Sequence, residues 1–385
     1  MVAAVFVGGC SESSDSDDPA TTSSPHAGEL LTSLPLASDS TATVPGAAST
    51  RVITYRSQNA QGEPIVVSGS VAIPATEPPP EGWPVVSWAH GTTGYADTCA
   101  PSVDTRDGLE HDYLGPITQT LASWISAGYA VVQTDYEGLG TPGGHPYING
   151  TSAANTVTDI VRAARALDPS IGKNWVVAGH SQGGHAALFT AQNAPQRAPE
   201  LNLRGAIAIA PGGTGLKQMV EFVRTDQPGA AAAEAFLPVI VLGAQAVDPS
   251  IEPSQVFTAR AQPLVTAART GCLAQIRAIP PIPPGQVFAP DADLATLNTY
   301  LDAQDPIRLS PQVPTMIAQG SADTAVAEPS TDTLVKALCD KETRLDYRVY
   351  DDADHRASVP ASLGDAQEFA AAALSDRVTT ETCKR

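Results

Sequence analysis

The run Gly179-His180-Ser181-Gln182-Gly183 sets a serine two residues from a glycine on either side, and Gly184 extends it. A G-x-S-x-G run can turn sharply from a strand into a helix, because side chains at the glycine positions would collide. Such a turn lifts the serine hydroxyl above a sheet and aims the positive end of the next helix at developing negative charge. A serine hydroxyl is a weak nucleophile, so it needs a base, and the base needs a carboxylate to orient it. Beyond the helix expected after Ser181 the chain has one histidine, His355, in the loop Asp351-Asp352-Ala353-Asp354-His355. Asp323, in Gln319-Gly320-Ser321-Ala322-Asp323, is the carboxylate expected to orient it. Its rivals are Asp332, expected on a helix, and Asp352 and Asp354, which are too close to His355 in sequence. An oxyanion formed on attack needs backbone N–H donors. Gln182, directly after the nucleophile, supplies one. The loop Ala89-His90-Gly91-Thr92-Thr93-Gly94 supplies the other, with Thr92 expected and Thr93 a close rival. The chemistry of this set is acyl transfer from an ester to Ser181 and then to water.

These side chains must be held by an alternation of strands and helices. Arg51–Tyr55 and Pro64–Ile73 are β-rich runs joined by a polar, Gly-containing turn and read as a hairpin. Strands are then expected at Val85–Ala89, Tyr129–Gln133, Trp175–Ala178 and Ala206–Ala210, with helices at Pro116–Ala127, Ala153–Leu167 and Gln182–Asn193. In the second of these helices Val157, Ile160, Val161, Ala164 and Leu167 fall on one face. The serine therefore follows a strand and precedes a helix, as the turn requires. After Pro211 the alternation stops for roughly a hundred residues, with helical pieces near Leu216–Arg224 and Gln262–Ala278. It resumes at Thr315–Ala318, with a helix at Ser330–Cys339, a strand at Arg344–Tyr350 and a helix near Asp365–Leu374. The expected fold is α/β: a mostly parallel central sheet with helices on both faces and an inserted, mainly helical cap. Its parts are the sheet core at 51–211 and 307–385 and the cap at 212–306. The apolar cluster Phe236–Leu242 is expected to present an amphipathic underside to an acyl cavity over Ser181.

The 385 residues carry 41 acidic against 22 basic side chains, a net charge of −19, which argues against a nucleic-acid partner. No run of about 18 apolar residues is apparent, so no membrane-spanning helix is expected. Residues 1–10, MVAAVFVGGC, read as the end of a truncated lipoprotein-type signal, with Cys10 the lipidated first residue of the mature chain and the true start upstream. Residues 11–50 read as a disordered Ser/Asp/Pro/Thr-rich tether. The remaining cysteines, Cys99, Cys272, Cys339 and Cys383, fit two disulfides in an exported protein, with three connectivities open. The pairs Cys99–Cys272, tying the cap down, and Cys339–Cys383, closing the C-terminus, are favoured. His145, His180 and His185 show no metal-ligand spacing, and no H-E-x-x-H, paired C-x-x-C or strand-following G-x-G-x-x-G is present. No metal, nucleotide or other cofactor is expected. Asp135, in Asp135-Tyr136-Glu137-Gly138, is placed to border the pocket or to stabilise its turn, and the turn reading is favoured.

Several of these blocks together resemble the secretory lipase family of the α/β-hydrolase superfamily, in a bacterial form. The blocks are Trp88–Gly94 with Cys99-Ala100-Pro101-Ser102, Asp135–Gly138, Gly179–Gly184, Gly320–Asp323 and Asp354-His355. The resemblance runs from about residue 50 to the end. It implies hydrolysis of lipid or other acyl esters by Ser181, Asp323 and His355, a lid-like insertion after Ala206–Ala210, and contact with a lipid interface. It leaves open long against short acyl chains. A thioesterase or polyester hydrolase with the same triad, and a catalytically dead lipid-binding protein on the same fold, are the competing functions. The sequence is silent on oligomeric state.

Overall fold

The computed structural model describes residues 26–37, 39–227, 229–377 and 382–384. Cys10 and the stretch before it lie outside the described residues. In chain order the elements are β1 (Leu30–Pro35), β2 (Ala47–Gln58), β3 (Pro64–Pro74), β4 (Trp83–Ala89), α1 (His111–Ser126), β5 (Ala130–Thr134), α2 (Gly150–Leu167), β6 (Ile171–His180), α3 (Gln182–Arg197) and β7 (Asn202–Ile209). Then follow α4 (Leu216–Arg224), α5 (Leu237–Val247), α6 (Pro253–Val256), α7 (Gln262–Thr270), α8 (Leu273–Arg277) and α9 (Ala295–Ala303). The chain ends with β8 (Thr315–Gly320), α10 (Glu328–Cys339), β9 (Leu345–Tyr350) and α11 (Ser358–Leu374).

Nine strands form one sheet in the order β1-β2-β3-β5-β4-β6-β7-β8-β9. Pairings from β1 through β3 to β5 are antiparallel, and all the others are parallel. The parallel strands are covered on both faces, which is why Val85-Val86-Ser87-Trp88-Ala89 and Ala206-Ile207-Ala208-Ile209 are unbroken buried runs. On α2 the buried stripe includes Val157, Ile160, Val161 and Ala164, and Asn149 caps the helix by accepting the Ser152 N–H. This is a mixed, largely parallel α/β sheet flanked by helices.

Three expectations change. The coreless tether does not extend to residue 50, because Leu30–Pro35 forms β1 on β2 and Val44 is buried. The strand is a sheet edge whose Leu31 and Leu34 point outward, so no alternating pattern marks it in the sequence. α1 begins at His111 rather than at Pro116, and α11 at Ser358 rather than near Asp365. Pro116 sits inside α1, and its missing N–H frees the Asp112 carbonyl, which accepts a bond from Arg356 Nη1 (3.4 Å). The third change is in the segment between β7 and β8. Its helices α4 to α9 share a core of their own, and Leu237 to Ala244 of α5 are all buried. α5 is apolar all round, as a helix inside a small core should be, and not amphipathic. Ala230–Val247 is long and apolar enough, by length and composition only, to cross a membrane, with a mean hydropathy of 1.7, but 56% of it is buried inside the protein.

Two disulfides staple the chain. Cys99 joins Cys272 across 173 residues, linking the loop after β4 to the start of α8, and Cys339 joins Cys383 at the end of α10. Gly94 must lack a side chain there, since a Cβ would lie 2.7 Å from Cys99 Sγ and 2.8 Å from Cys272 Cα. Replacing Cys99 and Cys272 together by serine is expected to cost about 2–5 kcal/mol, with hydrogen exchange rising first in α7 and α8. Denaturant unfolding with exchange mass spectrometry checks this, and an unchanged midpoint would contradict it.

Candidate active site

Ser181 sits between β6 and α3 with φ 58° and ψ −115°, a conformation that side chains rarely adopt. The turn holds it there through three backbone bonds. Its N–H donates to the Ile209 carbonyl (2.9 Å), and its own carbonyl accepts from His185 (3.1 Å) and Gly212 (3.0 Å). The flanking glycines are required by contact. A Cβ on Gly179 would lie 2.3 Å from the Gly183 oxygen, one on Gly183 1.8 Å from the Ala89 oxygen, and one on Gly184 2.8 Å from Pro211 Cα.

His355 lies in the loop after β9, and Asp323 in the loop after β8. His355 Nδ1 is 2.7 Å from Asp323 Oδ2. A carboxylate accepts, so Nδ1 carries the proton and Nε2 is left as an acceptor. The second oxygen of Asp323 accepts the N–H groups of Ala325 and Val326 (2.8 Å each). Burial alone would raise the Asp323 carboxyl, but the His355 hydrogen bond and charge and these two N–H groups outweigh it and hold it below the ordinary carboxylate range. The other aspartates are placed elsewhere. Asp332 accepts the Tyr347 hydroxyl (2.9 Å), Asp354 accepts the N–H groups of Arg356 and Ala357, and Asp352 donates its N–H to Ser321. Asp135 bonds Ser102 and Ser68 and stands outside the cavities that Ser181 lines.

Ser181 and His355 together line two cavities. One, of about 370 Å³, is walled by Gln182, Gly212, Met219, Phe236, Ile240 and Val326, among others. The other, of about 30 Å³, is walled by Gly91, Thr92, Tyr113, Phe236, Leu273, Arg277 and Arg356. Among the described residues no hydrogen bond joins Ser181 Oγ to His355, and such bonds often tighten only when substrate is bound. Thr92 faces the smaller cavity, and its hydroxyl is 2.8 Å from Tyr147 Oη. Thr93 lines neither cavity and uses its carbonyl to accept the Leu273 N–H. Gln182 begins α3, where the first N–H groups have no partner within the helix. Its side-chain amide donates to His145 Nε2 (3.0 Å), and His145 Nδ1 donates to the Glu137 carbonyl (2.9 Å).

A relay that sequence reasoning missed joins the two halves of the site. Gly91 N–H donates to Tyr113 Oη (2.8 Å), which is 3.1 Å from His180 Nδ1, while His180 Nε2 donates to the His355 carbonyl (2.8 Å). Burial lowers His180 to about 3, so the ring is neutral, with its single proton on the side facing His355. His145, at about 3, and His90, at about 4, are neutral for the same reason. The adjacency of His180 to Ser181 was the only signal in the sequence; Tyr113 had none. No cluster of three metal-binding side chains occurs among the described residues. The arrangement can move a proton from a serine hydroxyl to a histidine held by a carboxylate, beside N–H donors at a helix start.

Known proteins share this architecture. The chain superposes on Candida antarctica lipase A with a TM-score of 0.76 and 21% identity, covering 93% of this chain and 84% of that one. It superposes on the rice cell wall degrading esterase LipA from Xanthomonas oryzae with a TM-score of 0.67 and 22% identity, covering 92% and 98%. At these identities the likeness is one of fold, the α/β-hydrolase fold. In sequence, 166 residues are 31% identical to a probable inactive lipase of Mycobacterium tuberculosis, covering 41% of this chain and 36% of that protein. A longer stretch of 324 residues is 28% identical to lipase A of Moesziomyces aphidis, covering 78% and 67%. The chain thus spans about a third of the first relative's length and two thirds of the second's. The family model described as secretory lipase matches residues 117–382, well over half of the sequence, and the chain belongs to that family.

Proposed function

We propose that this protein hydrolyses carboxylic esters through an acyl-enzyme on Ser181, without a cofactor. The observation that carries the reading is the 2.7 Å bond between His355 Nδ1 and Asp323, in a ring that lines the same cavities as Ser181. His355 Nε2 takes the hydroxyl proton as Ser181 Oγ attacks the ester carbonyl, and Asp323 stabilises the resulting imidazolium. The Gln182 and Thr92 N–H groups hold the oxyanion. His355 returns the proton to the departing alcohol oxygen, and water then releases the acid by the same route. The Mycobacterium tuberculosis relative is described as probably inactive, but here serine, base, acid and both donor segments are present, which favours catalysis over a lipid-binding role alone. Ser181→Ala and His355→Ala are each expected to lose about 10⁴-fold or more in kcat, and Ser181→Ala to lose labelling by a fluorophosphonate probe. Near-normal turnover in Ser181→Ala would end this reading.

The larger cavity takes the acyl chain. Leu216, Met219, Phe236, Ile240 and Val326 give it apolar walls, and each buried methylene contributes about 0.8 kcal/mol. On α5, Ile240 borders this cavity, whereas Leu242 is wholly inside the core shared by α4 to α9. Activity on p-nitrophenyl esters should peak at medium or long chains, and Ile240→Ala should lower long-chain kcat/KM more than acetate kcat/KM. A wild-type peak at acetate would refute this assignment.

Export fits the two disulfides, which persist in oxidising compartments. Anchoring through an acylated Cys10 is the finer proposal, resting on the sequence alone. Detergent partitioning of the full-length protein should be lost in Cys10→Ser, and equal partitioning of the two forms would exclude the anchor.

A further inference from the structure

The smaller cavity beside Ser181 is bordered by two guanidinium groups, that of Arg277 at the end of α8 and that of Arg356 next to His355. Each is braced over an aromatic ring lining the same cavity, Arg277 over Phe236 and Arg356 over Tyr113, both at 5.4 Å from the ring centre. Among the described residues neither has a carboxylate within ion-pair distance. Burial and then the charge of Arg356 lower the pKa of Arg277, so the two cations repel each other at the mouth of the site. Glu110 is the carboxylate whose charge reaches both, but one of its oxygens accepts the Ala274 N–H (2.6 Å) and burial pushes it up to about 7. It therefore neutralises the pair only in part near neutral pH.

We propose that Arg277 and Arg356 bind an oxyanion, carboxylate or phosphate, on the alcohol portion of the ester. The inference rests on the ester-hydrolase reading and names the substrate class for it. With the acyl chain in the larger apolar cavity, the alcohol leaves toward Gly91 and Thr92; the 30 Å³ recess there is too small to hold it, so its anion meets the exposed guanidiniums of Arg277 and Arg356 at the rim. Each planar guanidinium offers paired donors that match a carboxylate or phosphate, and a charge-assisted bond is about twice as strong as a neutral one. Tyr113 and Arg356 also border a 910 Å³ groove along α1 and α11, so a large alcohol has room to continue past the anion.

Three esters with one acyl group and one carbon skeleton test this: monobutyrin, 3-butyrylglycerate and 1-butyrylglycerol 3-phosphate. Wild type should show a kcat/KM for at least one anionic ester about tenfold above that for monobutyrin. The preferred anion identifies the source, an acidic-sugar type of alcohol or a phosphoglyceride. Arg277→Gln and Arg356→Gln should each lower the anionic-to-neutral ratio, and the double variant should bring it to one. Lysine at either position should retain part of the preference, and Glu110→Gln should raise it. Equal hydrolysis of all three esters by wild type would overturn this inference and leave the hydrolase reading standing. So would a preference that survives in the folded double variant. Failure to hydrolyse any of the three would remove both.

Discussion

The Ala89 carbonyl oxygen lies where a methyl group on Gly183 would come within 1.8 Å, and the Gly183 carbonyl lies 2.3 Å from where one on Gly179 would be. These contacts press the first turn of α3 against the ends of β4 and β6. No other residue type allows that approach, and the approach is what forces Ser181 to φ 58°. Ser181 is thereby raised above the sheet, with the loop carrying Thr92 brought to the same small cavity and Gln182 facing the larger one. The strain of one serine is held by a dense set of backbone bonds, with Ile209, His185 and Gly212 all engaged.

A second layer keeps three loops in register without adding charge. Tyr113 reaches from α1 to Gly91, His180 reaches from the end of β6 to the His355 carbonyl, and Ser358 Oγ donates to that same carbonyl (2.8 Å). Burial holds His180 and His145 neutral, and His180, the one of the two that the Asp323 charge reaches, therefore does not compete with His355 for it. The bonding pattern of each neutral ring also fixes its tautomer. Around the Asp323–His355 hydrogen bond the supporting rings are therefore neutral.

What the sequence reveals and what it hides follow from the same physics. Strands covered on both faces must be apolar throughout, so Val85–Ala89, Trp175–Ala178 and Ala206–Ala210 stand out as short unbroken runs. The flanking glycines of Ser181 and the solitary position of His355 beyond α3 narrow the chemistry, and the structure puts His355 beside Asp323. Edge strand β1 is hidden because its pairing is made by backbone groups while Leu31 and Leu34 face solvent. The orientation of α5 is hidden because a helix with apolar residues on every side has no preferred face. Tyr113 and Arg277 are invisible for another reason. Their positions at the site come from where α1 and α8 pack, and nothing local to either residue encodes that.

The bond from Cys99 to Cys272 has a mechanical meaning for the segment between β7 and β8. It is reinforced at the same place by the Leu273 N–H to the Thr93 carbonyl (2.8 Å) and by the backbone bridge between Gly94 and Cys272. The helical layer is thus riveted to the very loop that presents Thr92. Its two chain connections to the sheet, at 210–215 and 304–314, lie at other points, and the first contains Gly213 and Gly215 with positive φ. A plate riveted at one rim cannot lift evenly; it can only pivot about the rivet. Any widening of the entrance is then largest on the α4 side, over the larger cavity, while the rim holding Arg277 keeps its distance from Ser181.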